Sequence, residues 1–157
     1  MITERLNFFD SKFGWKKAKA PSGHGYGVAC GIDAGTFVTV MAEVDVERST
    51  GKVTVTRVVA AQNMGLAVNP QGATIQMEGC VTMGLGYALA EDIHFKGSQI
   101  LDLIFDTYEI PRFSWLPEIE TVIIDAKNDN PQVGGEPVII AMGAVAANAV
   151  LMLWVSG

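Results

Sequence analysis

The residue best suited to catalysis is Glu136, which lies in residues 132–137 (QVGGEP). Two glycines precede it directly, and a long apolar run follows this stretch. The glycines permit backbone conformations closed to other residues, and Pro137 suits a first helical position. A carboxylate at such a junction can act as a general base, or it can simply place an acid in the first turn of a helix. Spacing alone favours the second interpretation. Helix dipoles stabilise the ionised carboxylate whereas apolar surroundings destabilise it, so its pKa cannot be read from the sequence.

A second candidate is Gln76, which lies in a glycine-rich segment that predicts a helix over residues 71–90. Gly72, Gly79 and Gly86 recur every seven residues, and each lowers helix stability by about 1 kcal/mol relative to alanine. They fall on one stripe, where another backbone or a flat ligand could approach closely. Gln76 is placed on or beside this stripe, and its amide can both donate and accept hydrogen bonds.

The elements that must position these residues do not alternate regularly between strand and helix. We therefore predict an α+β fold, a mainly antiparallel sheet with a β-hairpin packed against two long apolar helices. The predicted helices cover residues 4–15, 71–90 and 137–155, and the predicted strands or extended segments cover 26–33, 36–47, 53–62, 91–95, 107–113 and 118–125.

The best-defined unit is the hairpin formed by residues 36–62. Residues 36–47 alternate, with valine or alanine on one parity, which predicts a half-buried strand with its valine face inward. Residues 49–52 (STGK) provide the turn. The small residues 26–33 are suited to a strand packed closely against another element.

Composition limits the class of protein. The 157 residues fit one domain, 49% are apolar and only 18% are charged, so we expect a large interface with another chain or segment. The net charge of -6 argues against a nucleic-acid partner, because binding to phosphates requires clustered Lys and Arg.

Cysteine, histidine and hydropathy patterns indicate a cytoplasmic protein without a metal site made by its own side chains. Cys30 and Cys80 are far apart in apolar segments, which predicts two buried, reduced thiols. His24 and His94 are isolated. Residues 137–155 reach the lower limit for a membrane span, but small residues and the absence of a basic or aromatic flank on the N-terminal side favour a buried helix and no membrane insertion.

Three stretches then occur in a specific order. They are residues 63–89 (including NMG, NP, QMEG and GLGYAL), 107–120 (TYEIP and LPEIE) and 135–150 (GEP and AANAV). Together they resemble the C-terminal part of the molybdopterin-binding subunit of the xanthine dehydrogenase and aldehyde oxidase family. The pattern is most similar to the isoquinoline 1-oxidoreductase type, and it covers nearly everything from Gly25 onward.

The resemblance implies a role for three residues. Glu136 matches the glutamate of the family's Gly-Glu-Pro signature, which is the active-site base beside molybdenum. Gln76 matches the glutamine that lies at the cofactor, and Gly135 is implied to contact the cofactor as well. The implied cofactor is molybdenum-molybdopterin, and the implied reaction is hydroxylation of an aldehyde or of a carbon beside a ring nitrogen, with oxygen from water.

Family subunits are several times longer, so the resemblance implies a fragment or split subunit that is inactive alone. Residues 25–157 would form the C-terminal portion of the cofactor domain, after an N-terminal helix and connection in residues 1–24. The implied partners are the rest of the molybdopterin-binding portion, an iron-sulfur subunit or domain and a small-molecule substrate. Asn63-Met64 replaces the common Asp-Cys pair and Cys80 replaces a usual glycine or alanine, which leaves the substrate open.

Two other functions remain open. A non-catalytic assembly module could bind another subunit through its apolar surface, and exposed apolar surface of this extent could also produce a homo-oligomer. A membrane-associated protein using residues 137–155 is the third alternative.

Overall fold

A computed structural model describes residues 23–124, 126 and 129–155. The main sheet contains β1 (His24–Asp33), β2 (Thr36–Val46), β3 (Val53–Asn63) and β6 (Glu118–Ile123), in the order β1-β2-β3-β6. The α+β class is confirmed. The sheet is mixed, however: β1, β2 and β3 pair antiparallel, whereas β3 and β6 pair parallel. The crossover between β3 and β6 contains a helix, which is the usual way to join parallel strands.

The predicted hairpin and its inward valine face are confirmed. Val38, Val40, Ala42 and Val44 on β2 are at most 2% exposed, because alternate side chains of a strand point to one face. The turn after β2 places Gly51 at φ 74°, a conformation that favours glycine.

Two helices cover one face of the sheet and contact each other. The first, α1 (Pro70–Leu89), has 20 residues, and the second, α2 (Ile139–Val155), has 17. Side chains from both helices and the sheet form the core, including Met77, Val81, Met142, Val145, Val58 and Ala60. The outer face of α1 is partly polar, since Gln71, Gln76 and Glu78 are exposed.

Helix α2 begins two residues later than predicted. Residues 136–138 form a turn in which the Glu136 carbonyl accepts the Ile139 amide at 3.0 Å. Glu136 and Pro137 therefore precede the helix rather than form its first turn. This leaves the Glu136 side chain on a connecting segment instead of a regular helix face.

Strand β1 lies very close to α2. A Cβ placed on Gly27 would be 2.2 Å from the Val145 carbonyl oxygen, and one on Gly25 would be 2.2 Å from that of Ala149. The prediction that the small residues of this strand allow close packing is confirmed.

The segment between α1 and β6 differs from the predictions. It contains two short strands, β4 (Phe95–Lys96) and β5 (Gln99–Ile100), and a 3-10 helix (Phe113–Trp115), so the predicted strand over 91–95 is wrong. The predicted helix over residues 4–15 lies outside the described residues. Neither helix of the described part has the length and apolar content required to cross a membrane.

Candidate cofactor-binding site

A cleft of about 340 Å³ lies between the first half of α1 and the segment that leads to Glu136. Gln76 and Gly135 both line this cleft, and the rest of its wall comes from positions between 64 and 73 and between 131 and 134. The structure therefore brings two of the three predicted site residues into one cleft. Glu136 directly follows its lining residue Gly135.

Gln76 reaches the cleft because of how α1 begins. The Asn69 side chain caps the helix by accepting the Gly72 amide at 3.0 Å, and Pro70 occupies the first turn. Gly72 and Ala73 also line the cleft, as expected for residues four and three positions before Gln76 on one helix face. Gln76 is exposed, and its amide has no hydrogen bond to any of the described residues. Both ends of that amide are therefore available to a ligand.

The Glu136 side chain is exposed, and its carboxylate forms no hydrogen bond or ion pair with the part of the chain that the structure describes. Its backbone is nevertheless well held, because the carbonyl accepts the Ile139 amide and the preceding loop is anchored where the Gln132 amide donates to the Met64 carbonyl at 2.8 Å. A free carboxylate on a fixed backbone is suited to accept a proton from a bound group.

Cys80 connects the two sides of the site, a role the sequence did not reveal. It lies one turn after Gln76, is 7% exposed and donates its thiol hydrogen to the Gly135 carbonyl at 3.2 Å. Burial raises the pKa of the thiol, the Ile139 amide lowers it, and the negative charge of Glu136 raises it further. The net shift is upward, so Cys80 stays uncharged at neutral pH. The spacing of four residues from Gln76 is the signal that could have identified it.

Cys30 does not share this environment. It is exposed on β1, so the prediction of two buried thiols is wrong for this residue. The alternation of β1 explains the difference, because Gly27 and Ala29 point toward the core and Val28 and Cys30 point away from it.

The glycines of α1 do not form one continuous open stripe. A Cβ on Gly79 would meet nothing within 4 Å, but one on Gly72 would meet the Asn69 cap and one on Gly86 would meet Glu91 and Pro111. Gly135 in the cleft is open like Gly79. Close approach by an external group is therefore possible at Gly135 and Gly79 only, among these four.

Three larger depressions in the described part of the chain lie elsewhere, and none of them includes Gln76 or Gly135. One of about 570 Å³ lies beside His24 and Asp45, and one of about 540 Å³ lies between the hairpin tip, the end of α1 and residues 109–117. The smallest of the three, about 390 Å³, is lined by Asn63, Gly65 and Asp129 among others. Among the described residues, no group of three His, Cys, Asp or Glu side chains could hold a metal ion.

Known proteins show strong similarity to this chain. The family model of the molybdopterin cofactor-binding domain matches residues 6–117. One subunit of nicotinate dehydrogenase, from Pseudomonas putida, is 34% identical over 110 residues, which are 70% of this chain and 9% of the relative. The beta subunit of isoquinoline 1-oxidoreductase from Brevundimonas diminuta is 29% identical over 113 residues, which are 71% of this chain and 14% of the relative. The chain thus spans a small part of the length of the curated relatives it matches.

A solved structure supports the fold. The CO dehydrogenase of Oligotropha carboxidovorans superposes with a TM-score of 0.69 at 20% identity, covering 76% of this chain and 16% of the matched chain. At this identity the similarity shows the fold alone. The matched family model covers most of the chain, and a xanthine dehydrogenase molybdenum-binding subunit of Escherichia coli is among the relatives, which confirms the predicted resemblance: the chain belongs to the molybdopterin cofactor-binding domain family of the xanthine dehydrogenase type.

Proposed function

We propose that this chain is the C-terminal portion of the molybdopterin-binding subunit of a molybdenum hydroxylase, with residues 25–157 forming part of the cofactor domain. The observation that carries the proposal is that Gln76 and Gly135 line one cleft and Glu136 follows directly. The substrate class is an aldehyde or an N-heterocycle, hydroxylated with oxygen from water. The names of two relatives refer to the N-heterocycles nicotinate and isoquinoline, and the names of two others refer to aldehydes, so both substrate classes belong to the proposal.

The cleft fits the pterin part of the cofactor in two respects. The open space over Gly135 leaves its backbone accessible to a flat group, and a side chain there would occupy that space. The exposed amide of Gln76, which has no hydrogen-bond partner among the described residues, can donate to and accept from a polar heterocycle. Gln76 and Gly135 would therefore hold the cofactor, and the bound molybdenum centre would supply the redox chemistry.

Glu136 is the general base in this proposal. Its carboxylate is free to accept a proton because no Lys or Arg among the described residues pairs with it. Cys80 adds no second negative charge beside Glu136, since burial keeps the thiol protonated by raising its pKa. The chain thus contributes one proton acceptor and one amide for binding.

The complete enzyme requires further parts. We propose that the remaining molybdopterin-binding portion completes the cofactor site and that an iron-sulfur subunit or domain carries electrons away. The relatives from Pseudomonas putida and Brevundimonas diminuta are both named as subunits, which indicates assemblies of several chains. The cytoplasmic location stays a prediction.

An assembly module without catalysis is the second candidate, and one observation favours it. The segment between α1 and β6 exposes many large apolar side chains, at levels typical of an interaction surface. The most exposed are Phe113 (94%), Leu103 (79%), Phe105 (76%) and Phe95 (73%). These residues would contact another subunit in either function, so the base at Glu136 discriminates between the two.

The test is Glu136→Gln in the complete assembly, with Glu118→Gln as the matched control on the exposed side of β6. We expect turnover to fall by about a hundredfold or more, because general acid-base catalysis contributes roughly 10²–10⁴-fold. Molybdenum and pterin content should be unchanged. Pyrroloquinoline quinone is measured as well, since one related aldehyde dehydrogenase carries it in its name. Near-normal turnover of Glu136→Gln would reject the base assignment and favour the assembly module.

A further inference from the structure

Three consecutive backbone carbonyls immediately before Glu136 are each held by a side chain from a different element. The side chains are Thr36 at the start of β2, Gln62 near the end of β3 and Cys80 in the middle of α1. The hydrogen bonds are Thr36 Oγ1 to Val133 O, Gln62 Nε2 to Gly134 O at 3.1 Å, and Cys80 Sγ to Gly135 O at 3.2 Å.

The three donors, which we name the loop clamp, are buried. Thr36 is 0% exposed, Gln62 is 1% exposed and Cys80 is 7% exposed. Each is mounted on a regular element, and side chains locked by packing on strands and helices hold a neighbouring group more accurately than loop side chains do. The loop that leads to Glu136 is therefore fixed from three directions.

Gln62 shows that this arrangement is not explained by stability alone. Its Oε1 atom is buried and has no hydrogen-bond partner among the described residues, and a buried polar atom without a partner destabilises the folded state. A methionine of similar shape would avoid that cost, although it would leave the Gly134 carbonyl without this donor. Gly134 also lies close to this part of the core, because a Cβ there would be 2.7 Å from the Met64 sulfur. The observed role of the Gln62 amide is therefore its hydrogen bond to the Gly134 carbonyl.

We propose that Thr36, Gln62 and Cys80 are positioning residues that set the direction of residues 133–135 and thereby aim the Glu136 carboxylate at the cleft beside Gln76. The inference rests on the proposed function for the role of Glu136, but the clamp itself is a property of the backbone. Misplacing a reacting group by about 1 Å can lower a rate by roughly a hundredfold, so a loosened loop should slow turnover without abolishing cofactor binding.

The test compares single variants that remove one donor each: Gln62→Met, Thr36→Val and Cys80→Ala. Cys80→Ser is the conservative variant that keeps a donor. Thr56→Val is the matched control, because the Thr56 hydroxyl donates to the Glu43 carbonyl within the sheet at 3.3 Å and does not contact the loop.

The first readout is hydrogen exchange at the backbone amides of Gln132 and Ile139, which lie before and after the clamped residues 133–135 in the chain. The Gln132 amide donates to the Met64 carbonyl and the Ile139 amide donates to the Glu136 carbonyl. We expect exchange to accelerate by about tenfold at both amides in Thr36→Val and Gln62→Met. In Cys80→Ala we expect the same acceleration at Gln132, which is the independent reporter there because the Ile139 amide itself interacts with the Cys80 thiol. Exchange should be unchanged in Thr56→Val and close to the original rate in Cys80→Ser. For Gln62→Met, the melting temperature should be retained while the loop exchanges faster, which a merely structural role would not produce.

The second readout is the kinetics of the complete enzyme, where kcat should fall by about tenfold or more with KM changed less than about twofold. Unchanged exchange at Gln132 and Ile139 in all three variants would overturn the clamp. If Glu136→Gln remains active while exchange accelerates in the clamp variants, the proposed function is wrong but the clamp still holds the loop. Faster exchange with kcat equal to that of Thr56→Val would show that the clamp does not position Glu136, and would reject the inference.

Discussion

Substitution of Gly27 by alanine tests the close contact that fixes α2, and with it the segment that carries Glu136. A Cβ at Gly27 would lie 2.2 Å from the Val145 carbonyl oxygen and 2.6 Å from the Ala149 amide nitrogen. Both atoms are backbone, so no side-chain rotation can relieve the clash. Ordinary contacts begin at 3.4 Å, so α2 must move away from β1 by about 1 Å.

The cost follows from what that movement loosens. Val145 and Ala149 are fully buried between α2 and the sheet, and they would lose close contacts along the whole interface. Overpacking of a core usually destabilises by about 1–3 kcal/mol. Because the clash here is with backbone, we expect the upper end of this range, about 3 kcal/mol. That is a large share of the roughly 5–15 kcal/mol that stabilises a typical domain.

The assay is urea unfolding followed by far-UV circular dichroism, with Gly143→Ala as the control in the same helix. A Cβ on Gly143 would meet nothing within 4 Å, so this variant should gain about 1 kcal/mol from the better helix propensity of alanine. The pair therefore makes the same chemical change with opposite expected signs. A loss of less than about 1 kcal/mol in Gly27→Ala, where overpacking predicts more, would refute the account of how α2 packs on β1.

Three further predictions concern the site. Gln76→Ala should weaken cofactor retention in the assembled enzyme by about tenfold or more, because a lost hydrogen bond to a bound group is worth roughly 1–2 kcal/mol. Gln71 is exposed on the same helix, so Gln71→Ala is the control and should retain the cofactor normally. Equal retention in the two variants would exclude Gln76 from the cofactor contact. Cys80 should react with a thiol reagent at least about tenfold more slowly than Cys30 in the folded protein, and the two should be equal in urea. Burial raises the pKa of the Cys80 thiol on folding. The corresponding contribution to the free energy of unfolding is fully present below the thiol's ordinary pKa of about 8.5. It is lost as the pH rises through the higher pKa of the folded state. Cys80→Ser should remove that alkaline loss, and an identical alkaline profile in both proteins would contradict it.

The hairpin was predictable because its information is local. Alternation of valine or alanine with other residues on β2 specifies which face is buried, and the turn residues 49–52 specify where the chain reverses. The one-residue shift in register between Glu43 and Val44 has no such local signal. The parallel pairing of β6 with β3 was not predictable in this way. It depends on where α1 returns the chain, a long-range property that periodicity within β6 does not contain.

The glycines also show that a sequence pattern does not identify the neighbour that each residue meets. Gly72, Gly79 and Gly86 form a regular pattern in the sequence, yet one meets a capping side chain, one meets the following loop and one faces open space. Gly25 and Gly27 recur at the two-residue period of a strand. The small residues of that strand predicted close packing but not the partner, and the structure shows that α2 is the element that the two glycines contact. Residue type reports that backbone freedom or space is needed, and only the packed structure reports which neighbour requires it.

In the candidate site, the residues proposed to contact a ligand could be predicted from the sequence, whereas the residues that hold the loop in place could not. Gln76 and Glu136 were identified through motifs that resemble a known family, because the residues that meet a ligand are chemically distinctive. Thr36 and Gln62 gave no such signal, since a strand threonine and a strand glutamine are ordinary residues until a loop far away in the chain presents its carbonyls to them. If the clamp acts as proposed, the accuracy of the base depends on residues about 75 to 100 positions away in the sequence. Variation at Thr36 or Gln62 would then alter turnover while every residue that contacts the cofactor stayed the same.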